Sequence, residues 1–256
     1  MNAKRVVNAS ADADRPRWVF GVNAIARRLE VDPTSVRELY LQHGDSPRRA
    51  ALARAAGTAG IHLREADGAT LSRLTGSDGH QGVAALADPY RYRDLVDVLA
   101  GDPGPLLLLD QVQDPHNFGA LIRTAAAAGM AAILIPRHGA VGVSPAAEKV
   151  AAGAVNDIAI CRVANVHRCL IELRTQGYWS IGLTPRDGQD LFALEWPEKP
   201  VLVLGGEGGL RPLVEQTCDF RASIPVRSAV ESLNASVAGA LAMYEASRQL
   251  RRLDRS

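Results

Sequence analysis

Lysine is nearly missing from this 256-residue chain: of 29 basic residues, only Lys4, Lys149 and Lys199 are lysine. Its cationic surface is therefore built from planar guanidinium forks, which suit phosphate oxygens. Cysteine is scarce too. Cys161, Cys169 and Cys218 form no C-x-x-C pair. An odd count without metal-ligand spacing argues against a disulfide framework or a metal centre and points to reduced thiols in the cytoplasm. No apolar run approaches the ~20 residues of a membrane span. The opening "MNAKRVVNASADADRPR" lacks the apolar core of a signal peptide and reads as a disordered tail over residues 1–17. The net charge of +1 neither demands nor excludes a nucleic acid partner, so local patches matter more than the total. No Walker loop is present, and no G-x-G-x-x-G opens a helix after a strand, which counts against dinucleotide-dependent oxidoreductases and ordinary Rossmann-type methyltransferases.

What is present is a hydrophobic fraction of 47%, enough for a sizeable core, in a pattern that alternates strand and helix. Residues 18–87 read as a small α/β unit. In it "SPRRAALARAAGTAG" is a helix with Ser46 as cap and Pro47 in the first turn. Residues 88–105, with proline at both ends, read as a linker with a helical middle. From Leu106 the pattern becomes regular, with strands expected at 106–110, 131–135, 157–162, 178–183, 201–204 and 221–225, and helices between and after them. Such alternation implies a mostly parallel sheet covered on both faces. Ligands in such sheets sit at the carboxyl ends of the strands. The loops to inspect are therefore 110–117, 205–209 and 225–234.

Each of these loops is richer in polar groups or glycine than a connection needs. In "DPHNFGALIRTA", Asp114-Pro115 favours a turn, Asn117 can cap the following helix, and Gly119 permits close backbone approach. Arg123 sits six residues after Asn117. As a purely structural reading, this is a capped helix with a solvated arginine. In "VLVLGGEGGLRP", a buried strand runs into four glycines around Glu207, either a tight turn or a ligand loop. In "IPVRSAVESLNASVAGALAMYEASRQL", Ser232, Asn234 and Ser236 precede or open a long helix with small residues, and Ser232 can be its cap. His116 is the one histidine in these loops, more often a structural hydrogen-bonder than a catalyst.

Together the three loops resemble the three motifs of the SpoU (TrmH-like) branch of the SPOUT RNA methyltransferases. The first motif, N-x-G-A-x-x-R-[ST]-A, reads Asn117 to Ala125; the G-x-E-G loop reads Gly205 to Gly208; and S-L-N-x-S-x-A reads Ser232 to Ala238. "FGVNAIARRLE" and "HQGVAAL" resemble the ends of the substrate-binding domain of ribosomal RNA members of this branch, itself similar to a ribosomal protein of the L30e type. One departure stands out. The family loop usually continues G-x-E-G-x-G, whereas here Gly208 is followed at once by Gly209-Leu210, so the loop is one residue short.

The resemblance implies an α/β protein with an L30e-like RNA-binding domain at 18–87 and a trefoil-knot SPOUT methyltransferase domain at 106–256, acting as a homodimer with the active site near the dimer interface. It implies S-adenosylmethionine as methyl donor, held by Gly205, Gly206, Ile224, Pro225 and Leu233, and no metal. The acceptor would be a ribose 2′-hydroxyl of RNA, foremost a guanosine of 23S rRNA. A tRNA substrate is the alternative, and a non-catalytic RNA-binding protein of the same fold a more distant one. Arg123 would clamp the phosphate and polarise the 2′-oxygen. Asn117 and Ser232 would orient Arg123 or the ribose, and Glu207 and Asn234 would fix the loops by hydrogen bonds. Arg27, Arg28, Arg48 and Arg49 are the expected RNA phosphate contacts of the N-terminal unit.

Overall fold

A computed structural model describes residues 15–101, 104–227 and 232–253; the tail expected at the N-terminus lies, up to residue 14, outside them. The chain divides into two compact units, residues 1–91 and 92–256.

In the first unit β1 (Arg17–Phe20), α1 (Val22–Val31), β2 (Val36–Gln42), α2 (Pro47–Thr58), β3 (His62–Ala66), α3 (Gly68–Thr75) and β4 (Val83–Ala87) follow in order. The sheet runs β1-β4-β2-β3, with β4 antiparallel to both neighbours and β2 parallel to β3. Ile25 and Leu29 of α1 and Leu52 and Ala56 of α2 close one face over Leu39, Leu41, Val83 and Ala85. On the other face Leu71 of α3 packs with Ala66 and Ala84, flanked by Trp18 and Tyr40. The Ser46 side chain caps α2 as expected, accepting the Arg49 N–H, and Pro47 begins the helix, where a missing N–H costs nothing.

The second unit begins with α4 (Leu95–Leu99), β5 (Leu106–Asp110), α5 (Pro115–Ala128), β6 (Ala132–Pro136) and α6 (Pro145–Ala151). It continues through β7 (Ala159–Val163), α7 (Val166–Thr175), β8 (Trp179–Leu183), β9 (Gln189–Asp190), β10 (Pro200–Gly205), α8 (Pro212–Thr217), β11 (Phe220–Ser223) and α9 (Ala235–Leu253). Its seven strands lie in the order β7-β6-β5-β10-β8-β11-β9, and each neighbouring pair is parallel. The run Leu106–Leu109 is fully buried because β5 sits inside the sheet with both faces covered, the condition that permits an unbroken apolar strand.

The segment read as a linker is partly built into this second unit. The Arg93 N–H donates to the Ile160 carbonyl at 2.9 Å, and Leu95, Val98 and Leu99 of α4 pack against the core under β5, β6 and β7. The Tyr92 hydroxyl accepts the Val143 N–H at 2.9 Å, and Arg162 lies over its ring at 3.9 Å. The short β9, which no periodicity announces, adds an edge strand beside β11.

Glycine sets two helix contacts of α5. A Cβ on Gly119 would stand 2.6 Å from the Ala147 carbonyl oxygen, so α5 and α6 meet backbone to backbone there. A Cβ on Gly239 of α9 would meet the Leu121 methyl at 2.5 Å.

Candidate functional site

The strand order reverses between β5 and β10: β6 and β7 lie on one side, β8, β11 and β9 on the other. Their last residues, Asp110 and Gly205, are paired in register. Such a reversal leaves a crevice at the strand ends.

Asp110 organises its floor. Its carboxylate is fully buried and accepts from Arg211 three times, from the backbone N–H at 2.9 Å, from Nε at 2.9 Å and from Nη2 at 2.6 Å. A buried carboxylate is tolerable when so paired. Its carbonyl accepts the Gly206 N–H at 2.9 Å. Both ends of the glycine loop are thereby tied to the first loop.

The glycines are there because backbone meets backbone. A Cβ on Gly205 would lie 2.2 Å from the Gly209 carbonyl carbon, and one on Gly206 would lie 2.3 Å from the Gln111 oxygen. Gly209 turns with φ +77°, and its N–H donates to the Gly206 carbonyl at 3.0 Å, closing the loop. The shortened sequence thus makes a compact hydrogen-bonded turn. Glu207 stands exposed at its tip with no hydrogen bond to a described residue. The hydrogen bonds that tie the loop among the described residues come from Asp110 and Arg211, and the expected ones from Glu207 are not among them.

The third loop meets the first through two amides. Asn234 Nδ2 donates to Asn117 Oδ1 at 3.0 Å, while Asn234 Oδ1 accepts the Ser236 N–H at 2.9 Å and the Ser236 hydroxyl at 2.6 Å. Asn234 is therefore the side-chain cap at the start of α9, and Ser232 stands before the helix. The cap of α5 also differs from expectation. Asp114, not Asn117, accepts the N–H groups of His116 and Asn117, because Pro115 takes the first helical position and so places the cap three residues earlier. Asn117, released from capping, faces the crevice.

A cavity of about 640 Å³ opens here. Leu204 to Leu210 form one wall, and Ile224, Val226, Ser232, Leu233 and Asn234 another; Asn117 reaches its edge. A second cavity of about 600 Å³ lies across the glycine loop, lined by Gln111, Gln113, Asp114, Asn117, residues 206–210, Arg211 and Ala235. Of the expected donor contacts, Gly205, Gly206, Ile224 and Leu233 line the first cavity, while Pro225 is exposed and does not. Sequence reasoning missed Leu183 at the end of β8 and Thr184 to Asp187 after it, which also line the first cavity. Their signal was available: "LTPRDG" follows an apolar strand at its carboxyl end. Arg123 lines neither cavity. It is exposed on α5 and makes no hydrogen bond or ion pair with a described residue.

The four arginines expected to meet RNA separate. Arg28 is 7% exposed and bound to Ser35 and the Asp88 carbonyl, so it is a structural residue and not a phosphate contact. Arg49 donates to the Gly44 carbonyl at 3.1 Å, and Arg27 pairs with Glu30 at 2.8 Å. Arg48 is exposed and uncommitted to any described residue. Burial pushes the thiols of Cys161, Cys169 and Cys218 up to about 11, 12 and 12, which keeps them protonated and poorly nucleophilic.

Residues 104–244 match the SpoU rRNA Methylase family, and residues 18–93 match the RNA 2'-O ribose methyltransferase substrate binding domain. The chain belongs to the SpoU rRNA methylase family. Within it, the chain is 39% identical over 240 residues, 92% of this chain and 96% of the relative, to the 23S rRNA (guanosine-2'-O-)-methyltransferase RlmB of Ralstonia nicotianae. It is 40% identical to the protein of that name from Xylella fastidiosa, over 91% of this chain and 96% of the relative. Among solved structures, an AdoMet-bound rRNA methyltransferase from Sinorhizobium meliloti superposes with a TM-score of 0.73 at 25% identity, over 92% of this chain and 88% of that one. In this SpoU chain the three motif loops converge on one crevice.

Proposed function

We propose that this chain transfers the methyl group of S-adenosylmethionine to a ribose 2′-hydroxyl of RNA, a guanosine of 23S rRNA. The observation that carries the reading is the convergence of Asn117, the 205–209 loop and Ser232–Asn234 on one crevice, joined by the Asn234–Asn117 hydrogen bond beside the first cavity. That cavity suits the donor. It has apolar walls from Leu183, Leu204, Ile224 and Leu233 for an adenine ring, and backbone polar groups laid bare along the glycine loop, where a side chain at Gly205 or Gly206 would meet neighbouring backbone. When bound, S-adenosylmethionine supplies an electrophilic methyl group on a sulfonium.

The chain's own groups then have three tasks: to align the acceptor oxygen, to hold the flanking phosphate and to dispose of the hydroxyl proton. Alignment alone supplies up to ~7–11 kcal/mol of barrier lowering. Asn117 and Ser232 orient the ribose at the cavity edge, and Asn234 holds Asn117. Arg123 clamps the phosphate and polarises the 2′-oxygen; a guanidinium with a pKa above about 12 is a poor proton acceptor, so the proton passes to phosphate or water. Arg123 lies outside the cavities of its own chain, which supports a homodimer in which it serves the partner's crevice. Val237, Leu241 and Tyr244, 49%, 40% and 55% exposed, form an apolar stripe on α9 of the kind a partner helix covers. Residues 18–87 act as the RNA-binding unit and residues 106–256 as the transfer unit. No helix among the described residues is long and apolar enough to cross a membrane, consistent with work on cytoplasmic ribosomal RNA.

The test incubates purified protein and methyl-labelled S-adenosylmethionine with total RNA from a strain lacking the gene. Label in a 2′-O-methylguanosine of 23S rRNA is expected. Label in tRNA would move the substrate, and label in no RNA, naked or in ribosomal precursor particles, would overturn the reading.

A further inference from the structure

The arginines of the first unit are almost all spoken for. Between the start of β1 and the end of β4, Arg27 pairs with Glu30, Arg37 with Asp88 and Arg64 with Glu38. Arg28 and Arg49 are bound to backbone carbonyls, Arg73 reaches the Thr70 hydroxyl at 3.5 Å, and Arg17 has a partner. Two remain, Arg48 and Arg54, whose side chains make no hydrogen bond or ion pair with any described residue. Both are exposed and both are on α2.

The helix that carries them is unusual in composition. "PRRAALARAAGT" has three arginines and no acidic residue. An ordinary solvated helix intersperses both signs, because like charges repel and unlike pairs at i, i+4 stabilise it. At about 100° per residue, Arg48 and Arg54 stand about 120° apart on the helix barrel, and Pro47, Ala51, Ala55 and Thr58 fall between them. All four are exposed, so the arc between the two guanidinium groups is covered by a proline ring, methyl groups and one hydroxyl. Leu52 and Ala56 face the core on the opposite side, which fixes the orientation of the arc toward solvent. The result is a low, uncharged ridge flanked by two unpaired cations with no carboxylate on the helix to compete for them. Short side chains let a polyanion's backbone come close, and a guanidinium at each edge can take one phosphate in a bidentate fork.

We propose that the outer face of α2 is the surface on which the RNA substrate docks, with Arg48 and Arg54 each holding a backbone phosphate. The inference rests on the reading of the chain as an RNA methyltransferase and adds the element and residues of the first unit that capture the RNA. These contacts read no base. They set capture, not chemistry, because α2 lies outside the unit that carries the motif loops.

The experiment uses the full chain and a 23S rRNA transcript, with initial rates of methyl transfer measured against RNA concentration at 50 mM and 200 mM salt. Two exposed phosphate contacts contribute about 1.4–1.8 to the slope of log affinity against log salt. Arg48→Gln/Arg54→Gln is therefore expected to raise KM for RNA and to flatten that slope by about 1.4–1.8, while kcat at saturating RNA and affinity for S-adenosylmethionine stay at wild-type values. The wild-type advantage in KM is expected to be about tenfold larger at 50 mM than at 200 mM salt. Arg48→Lys/Arg54→Lys, which keeps the charge, is expected to restore the slope; a merely structural role would not show that rescue or a salt dependence. A wild-type slope and KM in the glutamine variant would overturn the proposal while leaving the transferase reading intact. Absence of transfer by the wild-type protein both to this transcript and to ribosomal precursor particles would instead strike the reading beneath it.

Discussion

Replacing Asp110 by Asn exchanges one carboxylate oxygen for an NH2 group and tests the organisation of the crevice. The buried carboxylate accepts three hydrogen bonds from Arg211, two from the guanidinium and one from the backbone N–H. An amide has one oxygen. If that oxygen faces the guanidinium, its NH2 group meets the Arg211 backbone N–H, donor against donor; if it is reversed, the NH2 group meets the guanidinium. Either way a charge-assisted hydrogen bond worth about 1.5–3 kcal/mol is lost and a polar group is left unsatisfied at about 1–3 kcal/mol. Arg211 is 44% exposed and can rehydrate, which places the loss near the lower part of the summed range, about 3 kcal/mol. The assay is urea unfolding by fluorescence in a Trp18→Phe background, so that Trp179 and Trp196 report the second unit alone. With a denaturant slope of about 1–3 kcal/mol/M, the midpoint should fall by about 1 M or more. S-adenosylmethionine binding should weaken as well, since the same carboxylate anchors the glycine loop. A midpoint within about 0.3 M of wild type, with donor affinity unchanged, would refute the claim that Asp110 holds this site together.

Gly205→Ala places a Cβ 2.2 Å from loop backbone and should cost at least tenfold in donor affinity by calorimetry, whereas Gly208→Ala, with nothing within 4 Å, should stay within about 0.5 kcal/mol of wild type in stability; equal behaviour of the two would show that the loop yields. Arg123→Ala should lower kcat by about 10²–10³ with donor affinity within twofold, and unaltered turnover would remove Arg123 from the chemistry. The raised thiol values mean that the folded chain retains protons the unfolded chain loses above about 9. Stability is therefore intact below that pH and falls as pH rises toward 11–12. Denaturation midpoints between pH 8 and pH 10.5 check this, and rapid alkylation of the native thiols at pH 8 would contradict it.

Much of the second unit could be read from the chain because its strands are buried on both faces and so announce themselves as unbroken apolar runs. The strand expected at 106–110 is β5, the one expected at 201–204 is one residue short of β10 at each end, and the one expected at 178–183 starts one residue before β8. Boundaries failed where a short-range competitor decided them. Asp114 and Asn117 are both good caps, and Pro115 settled the matter for Asp114. Glu207 looked like a tether because it was the one charge among glycines, yet the tether is Asp110, which in sequence merely ends a leucine run. Arg28 looked like half of a basic pair, but on a helix adjacent residues point about 100° apart, so one member faced the core. The loop after β8 was passed over because its residues resemble an ordinary turn, and their value comes from the strand order, which places β8 next to β10.

The glycine loop also couples what lies on its two sides. Residues 206–210 are at once a wall of the 640 Å³ cavity and of the 600 Å³ cavity, and they are moored at both ends to Asp110. A ligand that presses this partition outward enlarges its own chamber at the expense of the other. By linkage, whatever factor an occupant of one chamber imposes on affinity in the second is returned to the first unchanged. Residues 206–210 are thereby the one element through which occupancy of either chamber can be felt in the other.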